Sequence, residues 1–208
     1  MEKKRSFMNL DETLKQAASN FAALDPAEIA ASAGVELKEG SNMEVPFIDH
    51  TFRVYHPAGQ VKTETGEDAS VYLAIIILHY LVTADGTPLT GRWIAYRHMP
   101  GGEIYIGPFQ KRAVNPFLKT FGDRPADFQK AAEELGGHRQ DSSGISMVIP
   151  VLPRVPICFT IWPGDEEIPT SANILFDEAA PSYLPTEDYA HLPAIVNGAM
   201  KGKLQGRD

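Results

Sequence analysis

"GISMVIPVLPRVPICFTIW", residues 144–162, decides the fold. It reads as two short strands, "GISMVIPVLP" and "RVPICFTIW", with prolines at their edges. In the second, Ile157, Phe159 and Ile161 alternate with Cys158, Thr160 and Trp162. Both faces are apolar enough for an interior strand. Pro163–Gly164 then turns the chain, and three acids follow: Asp165, Glu166 and Glu167. They sit in the loop past the end of a central strand, where sheet proteins often place functional groups. "ANILFD", ending at Asp177, reads as a short strand or turn.

Strands also precede this pair. "GVELKEG", "MEVPFID" and "TFRVYHP" are short, alternating and broken by Gly, Pro or Asp. They predict two or three antiparallel strands joined by tight turns. "AGQVKTETGEDA" reads as a polar loop, "GRWIAYRHMPGG" as a strand closed by Pro100–Gly101–Gly102, and "GEIYIG" as another short alternating piece.

Helical signals flank these runs. Asn9 and Glu12 are spaced as an N-cap and its N3 partner, and Leu14, Ala17, Ala18, Phe21 and Leu24 recur at helical spacing. Asp25–Pro26–Ala27–Glu28 starts a second helix, and Gly34 ends it. "SVYLAIIILHYLVTA" is too short to span a bilayer and predicts a buried core helix. "PFQKRAVNPFLKTFG" predicts a helix interrupted by Pro116, and "RPADFQKAAEELGG" an amphipathic helix burying Phe128, Ala131, Ala132 and Leu135. "LPTEDYAHLPAIVNGAM" predicts a closing helix, bent or restarted at Pro193. Strands and helices do not alternate regularly. The expected class is therefore α+β: a single domain whose mixed or antiparallel sheet carries packed helices. The organisation expected is a helical hairpin over residues 1–34 and an α+β domain over residues 35–208.

Charge and composition narrow the function. A net charge of −8 argues against broad nucleic-acid binding and against adsorption to an anionic membrane. Cys158 is the single cysteine, so no disulfide forms within the chain and no cysteine-based metal site exists. The amino-terminal stretch has no apolar run behind its positive charges, and the expected location is the cytoplasm. Phosphate-loop, dinucleotide, nucleophile-elbow and zinc-protease motifs are all absent.

Two groups of residues remain. On a strand, Trp93, Ala95 and Arg97 share one face. A guanidinium beside an indole before a Pro-Gly-Gly turn suits a carboxylate or oxyanion clamp, or else neutralises one acid of the Asp165–Glu167 cluster. Asp165 either contributes to a site or closes an Asx-type turn. Glu187 and Asp188 favour the dipole of the last helix. His98, next to Arg97, is the more accessible of two candidate metal-cofactor ligands, and His79 sits in the buried helix.

"LHYL", "GRWIAYRHMPGG", "LPRVPICFTIWPGDEEIPTSANILFD" and "LPTEDYAHL" together resemble the domain of unknown function 3786 family, from about Ala69 to about Leu192. Its motif falls on Arg97, Gly101, Gly102, Trp162, Asp165, Glu166, Phe176 and Asp177. Many members come from anaerobes and carry an amino-terminal four-cysteine iron–sulfur domain similar to that of corrinoid iron–sulfur proteins. With Cys158 alone, this chain lacks that domain. The resemblance implies a non-catalytic cofactor-binding accessory protein of one-carbon metabolism, with a corrinoid as favoured ligand. Trp93, Arg97, His98, Gly101, Gly102, Trp162, Asp165 and Glu166 are the expected binding residues. It also implies an iron–sulfur or methyl-transfer protein as partner. The alternatives are a small-molecule enzyme using Asp165, Glu166 and His98 for acid–base chemistry, or a structural subunit of a redox or methyl-transfer complex.

Overall fold

A computed structural model describes residues 3–205, with side chains from residue 10 onward. The fold is α+β with two antiparallel sheets, and the chain divides into two compact units. The first comprises Met1–Pro88 with Ser182–Leu184, and the second Leu89–Pro181 with Pro185–Asp208.

The first unit opens with α1 (Lys3–Ala22) and α2 (Pro26–Ala33). The helix α1 starts well before Asn9, in a run of good helix formers, so Asn9 is interior and not a cap. The start of α2 is as expected: Asp25 accepts from the Ala27 and Glu28 amides at 2.9 and 3.1 Å. Gly34 ends α2 in the left-handed region at φ 66°. A four-stranded sheet follows in the order β1 (Glu36–Leu37), β2 (Met43–Phe47), β3 (His50–Tyr55), β4 (Gln60–Lys62). The strand β4 lies in the stretch expected to be a loop; it is too short and polar to show alternation. The apolar run forms α3 (Val71–Thr83), capped by Ser70 and buried at Ala74 to Leu78, Tyr80 and Leu81. Apolar on every side, it packs against both α1 and α2.

The second unit is built on a five-stranded sheet. Its strands, in spatial order, are β5 (Trp93–Ala95), β9 (Ser171–Asp177), β8 (Val155–Trp162), β7 (Ile145–Leu152) and β6 (His138–Gln140). Met147, Phe159 and Ile174 align across it, as do Ile149, Ile157 and Phe176. This face meets the helices α4 (Ile106–Phe109), α5 (Asn115–Phe121), α6 (Pro125–Glu134) and α7 (Thr186–Tyr189). Phe117 stands edge-on to Phe159 at 5.0 Å and to Phe128 at 5.1 Å, while Tyr189 stands edge-on to Phe176 at 5.2 Å. The last helix, α8 (Leu192–Gln205), packs on α5 and α6.

In the second unit, three expected elements differ. The strand at "GRWIAYRHMPGG" ends at Ala95, and Tyr96–His98 forms a 3-10 turn. Tyr96 turns inward to stack on Phe109 at 4.3 Å, and that packing outweighs strand alternation. "GEIYIG" is a turn running into α4, and not an alternating strand. The helix expected to break at Pro116 instead widens into a π-helical segment, Gln110–Val114, just before it. Pro116 lacks an N–H and crowds the carbonyl four residues back, that of Arg112, and a wider turn relieves the conflict.

Candidate functional site

The antiparallel register fixes which sequence-predicted residues meet. Trp162 pairs with Ser171, at the start of β9, whereas Trp93 pairs with Asp177, at its end. Six residues of strand separate those positions, about 20 Å. Trp93 and the Asp165–Glu166 loop therefore lie at opposite ends of the sheet. Ala95 pairs with Leu175, and the 3-10 turn begins immediately after it. Arg97 and His98 are exposed on that turn, and no ion pair joins Arg97 to Asp165 or Glu166 among the described residues. The expected placement of Arg97 beside Trp93 on one strand face is corrected accordingly.

Gly101 and Gly102 build the turn itself. Gly101 has φ 72°, and a side chain on Gly102 would collide with the Tyr96 carbonyl. Asp165 closes its own loop. Its Oδ1 accepts from the Glu167 amide at 2.9 Å and the Ile168 amide at 2.8 Å, and its amide donates to Ile168 O at 2.9 Å. These backbone donors, Ile168 first, hold its carboxyl below the usual carboxylate range. Glu166 and Glu167 are exposed on the same loop.

Asp177 anchors the opposite end of the sheet. It is 2% exposed, and its oxygens accept from Thr90 N and Oγ1 at 3.1 Å each, Gly91 N at 2.7 Å and Ala179 N at 2.8 Å. Four donors satisfy the buried carboxylate and tie the chain on either side to β9.

The turn from β6 to β7 and the loop from β8 to β9 emerge at the same end of the sheet, because β7 begins where β8 ends. There Arg139, Gln140, Asp141, Ser142, Gly144 and Ser146 line a concavity of about 310 Å3. The Trp162 indole N–H donates to Ser143 Oγ at 3.0 Å and fixes an aromatic edge beside it. Gly144 permits this close approach: a Cβ there would lie 2.8–2.9 Å from Ile161 O, Thr160 Cγ2 and Trp162 Nε1. A chain of hydroxyls runs inward, Ser142 to Ser146 at 2.7 Å and Ser146 to Thr160 at 2.6 Å, reaching Cys158 Sγ at 3.8 Å. Burial pushes the Cys158 thiol up, which keeps it protonated. Sequence reasoning missed this turn; its signal was "DSSG", a cluster of turn formers between apolar runs.

The first unit has a concavity of about 380 Å3 lined by His50, Thr51, Phe52, Thr63, Glu64 and Thr65. None of the expected binding residues lies there. Among the described residues, no group of three or more His, Cys, Asp or Glu side chains is placed to hold a metal ion. Among the described residues, no helix is long and apolar enough to cross a membrane.

The second unit thus defines an α+β sheet protein with a polar, aromatic-edged concavity at one sheet end. Residues 25–198 match the family described as Domain of unknown function (DUF3786), and the chain belongs to it. The match extends the resemblance from Ala69 back to Asp25, so it includes α2 and the first sheet. No curated protein and no solved structure matches the chain.

Proposed function

We propose that this protein is a non-catalytic cofactor-binding accessory protein, with a corrinoid as ligand, in the one-carbon metabolism of an anaerobe. The observation that carries the binding reading is the concavity beside Trp162. It is lined by the Ser142 hydroxyl, the Gln140 amide, the Arg139 guanidinium and the Asp141 carboxylate, and the neighbouring Ser143 holds the Trp162 indole by a hydrogen bond. Peripheral amides of a corrinoid both donate and accept hydrogen bonds, and this donor and acceptor set matches them. A space of about 310 Å3 takes one edge of such a macrocycle and leaves the rest outside. The choice of a corrinoid over other amide-bearing ligands rests on the family resemblance. The acid–base alternative is weakened at Asp165, whose carboxylate is held ionised by its own loop and is a poor proton donor near neutral pH.

Titration with cobalamin, followed by visible absorption and calorimetry, tests the reading. The expected result is saturable binding that Asp141→Ala, at an exposed lining residue, weakens without changing the melting temperature, and that Trp162→Ala weakens together with a lower melting temperature. Absence of binding up to about a millimolar, roughly −4 kcal/mol, removes the corrinoid.

A further inference from the structure

A cleft opens in the first unit where β3 and β4 part. Arg53 pairs with Lys62, and β4 ends there. Beyond Lys62 the chain bonds to itself: Thr63 N donates to Glu67 O at 2.8 Å and Gly66 N to Thr63 O at 3.0 Å. Thr51, which the register would set opposite Glu64, is left on an open strand edge. The Glu64 side chain reaches across instead, and its Oε1 accepts from the Thr51 amide at 2.9 Å. Two concavities, of about 380 and 250 Å3, share Thr51, Thr63 and Glu64 as lining. Phe52 gives the larger one an apolar wall, fixed by an edge-on contact with Phe47 at 6.2 Å. Thr63 Oγ1 donates to Glu67 O at 3.3 Å, so in its 2.9 Å contact with Thr65 the Thr65 hydroxyl is the donor. The Thr65 oxygen is then left as an acceptor.

The charges around the cleft leave one acid over. Arg53 lies 3.3 Å from Glu44, Lys62 3.1 Å from Asp68 and His50 3.5 Å from Asp49. Each of these bases therefore has an acid of its own. Among the described residues Glu64 has no ion pair, and its second oxygen has no hydrogen-bond donor. We propose that this cleft binds a small primary amine, whose ammonium donates to the open Glu64 oxygen and to Thr65 Oγ1 while its carbon chain lies on Phe52. An ammonium has three donors and no acceptor, which suits a rim of carboxylate and hydroxyl oxygens. The bond to the Thr51 amide holds the carboxylate in place before the ligand arrives, so little ordering is needed on binding. A carboxylate or phosphate ligand would meet Glu64 at like charge. A space of about 380 Å3 is the size of a small-molecule site. This inference is independent of the ligand reading, which concerns the second unit.

Titration of the whole protein with butylamine at constant ionic strength, followed by amide NMR shifts, tests the site. Butanol serves as the uncharged probe of the same length, and lysine capped at both ends as the polypeptide form of the same amine. The expected result is that butylamine shifts the Thr51, Thr63 and Thr65 amides saturably, with a midpoint of about a few millimolar, and that butanol does not. Glu64→Gln keeps an oxygen for the Thr51 amide and removes the charge, so it should weaken butylamine binding about tenfold or more at unchanged melting temperature. Glu67→Gln, on the same turn, should leave the midpoint where it is. No saturation up to about 50 mM overturns the proposal, as do equal shifts from butanol. A Glu67→Gln effect as large as that of Glu64→Gln overturns it too, because attraction is then to a diffuse acidic surface. Capped lysine binding more tightly than butylamine overturns the free amine as ligand and assigns the cleft to a lysine side chain of another polypeptide.

Discussion

Asp165 shows how one carboxylate answers a local question that its neighbours do not. The side chain closes the turn after β8, while Glu166 and Glu167 point to solvent. Replacing Asp165 with Ala should release the Glu167 and Ile168 amides, read as faster hydrogen exchange at those two positions, with a lower melting temperature. Glu166→Gln should leave both readings unchanged. The lowered Asp165 pKa gives this contribution a pH sign: it is present above the ordinary carboxylate value and fades as pH falls through the lowered one. Tyr96 has the opposite sense. Burial first, then the Glu187 and Tyr105 charges, push its phenol up to about 12, and it donates to Thr186 O at 3.1 Å. Unfolded tyrosine ionises near 10, so the fold holds the proton longer and loses stability as pH rises from about 10. Tyr96→Phe should reduce that alkaline loss in a series of denaturant titrations. Asp177 has four donors and almost no exposure. Asp177→Ala strands buried amides and should cost about 3 kcal/mol.

At the scale of elements, helices were the legible part. Asp25–Pro26 and Gly34 bracket α2, and Phe128, Ala131, Ala132 and Leu135 are all buried on or beside α6. Their signals are local: a cap, a proline, a period. What the sequence left unread depends on contacts far along the chain. Trp93 and Trp162 both border β9, but which end each occupies is a matter of register, and no local signal carries register without its partner strand. The same holds for Tyr96, which leaves the strand pattern because Phe109 is there to stack on. The π-helical segment has a testable consequence through Arg112, whose Nη1 donates to His191 Nε2 at 3.2 Å. That contact requires a neutral imidazole. Burial, then the Arg112 charge, lowers the His191 pKa, while buried Asp188 works against them. The unfolded chain takes up the proton first, so stability is full above about 6.5 and declines as pH falls below it. Arg112→Met should raise the imidazole pKa in an NMR titration and flatten that acid decline. A His191 that titrates at its ordinary value in the native protein contradicts this assignment.

For the whole molecule, the division into units does not follow chain order. Ser182–Leu184 lies within the sequence of the second unit yet belongs by its packing to the first. Tyr183 is the reason. It is fully buried, its ring lies 6.2 Å from that of Tyr80 on α3, and its hydroxyl donates to the Thr87 carbonyl. The Asp85 amide adds a bond to Ser182 O at 3.3 Å. A side chain supplied from about a hundred residues away in sequence thus completes the core around α3, where long-range contacts repay a large loop-closure entropy. Tyr183→Ala opens a cavity beside Tyr80 and leaves the Thr87 carbonyl without its donor, at a cost of about 3–5 kcal/mol. The loss should fall first on the first unit. Hydrogen exchange should accelerate at the α3 amides of Ile76, Ile77 and Leu78 while those of Phe159 and Ile161 on β8 keep their protection. Equal acceleration on α3 and β8 would mean that the two cores unfold as one cooperative body, and that the division by packing is not a division in stability.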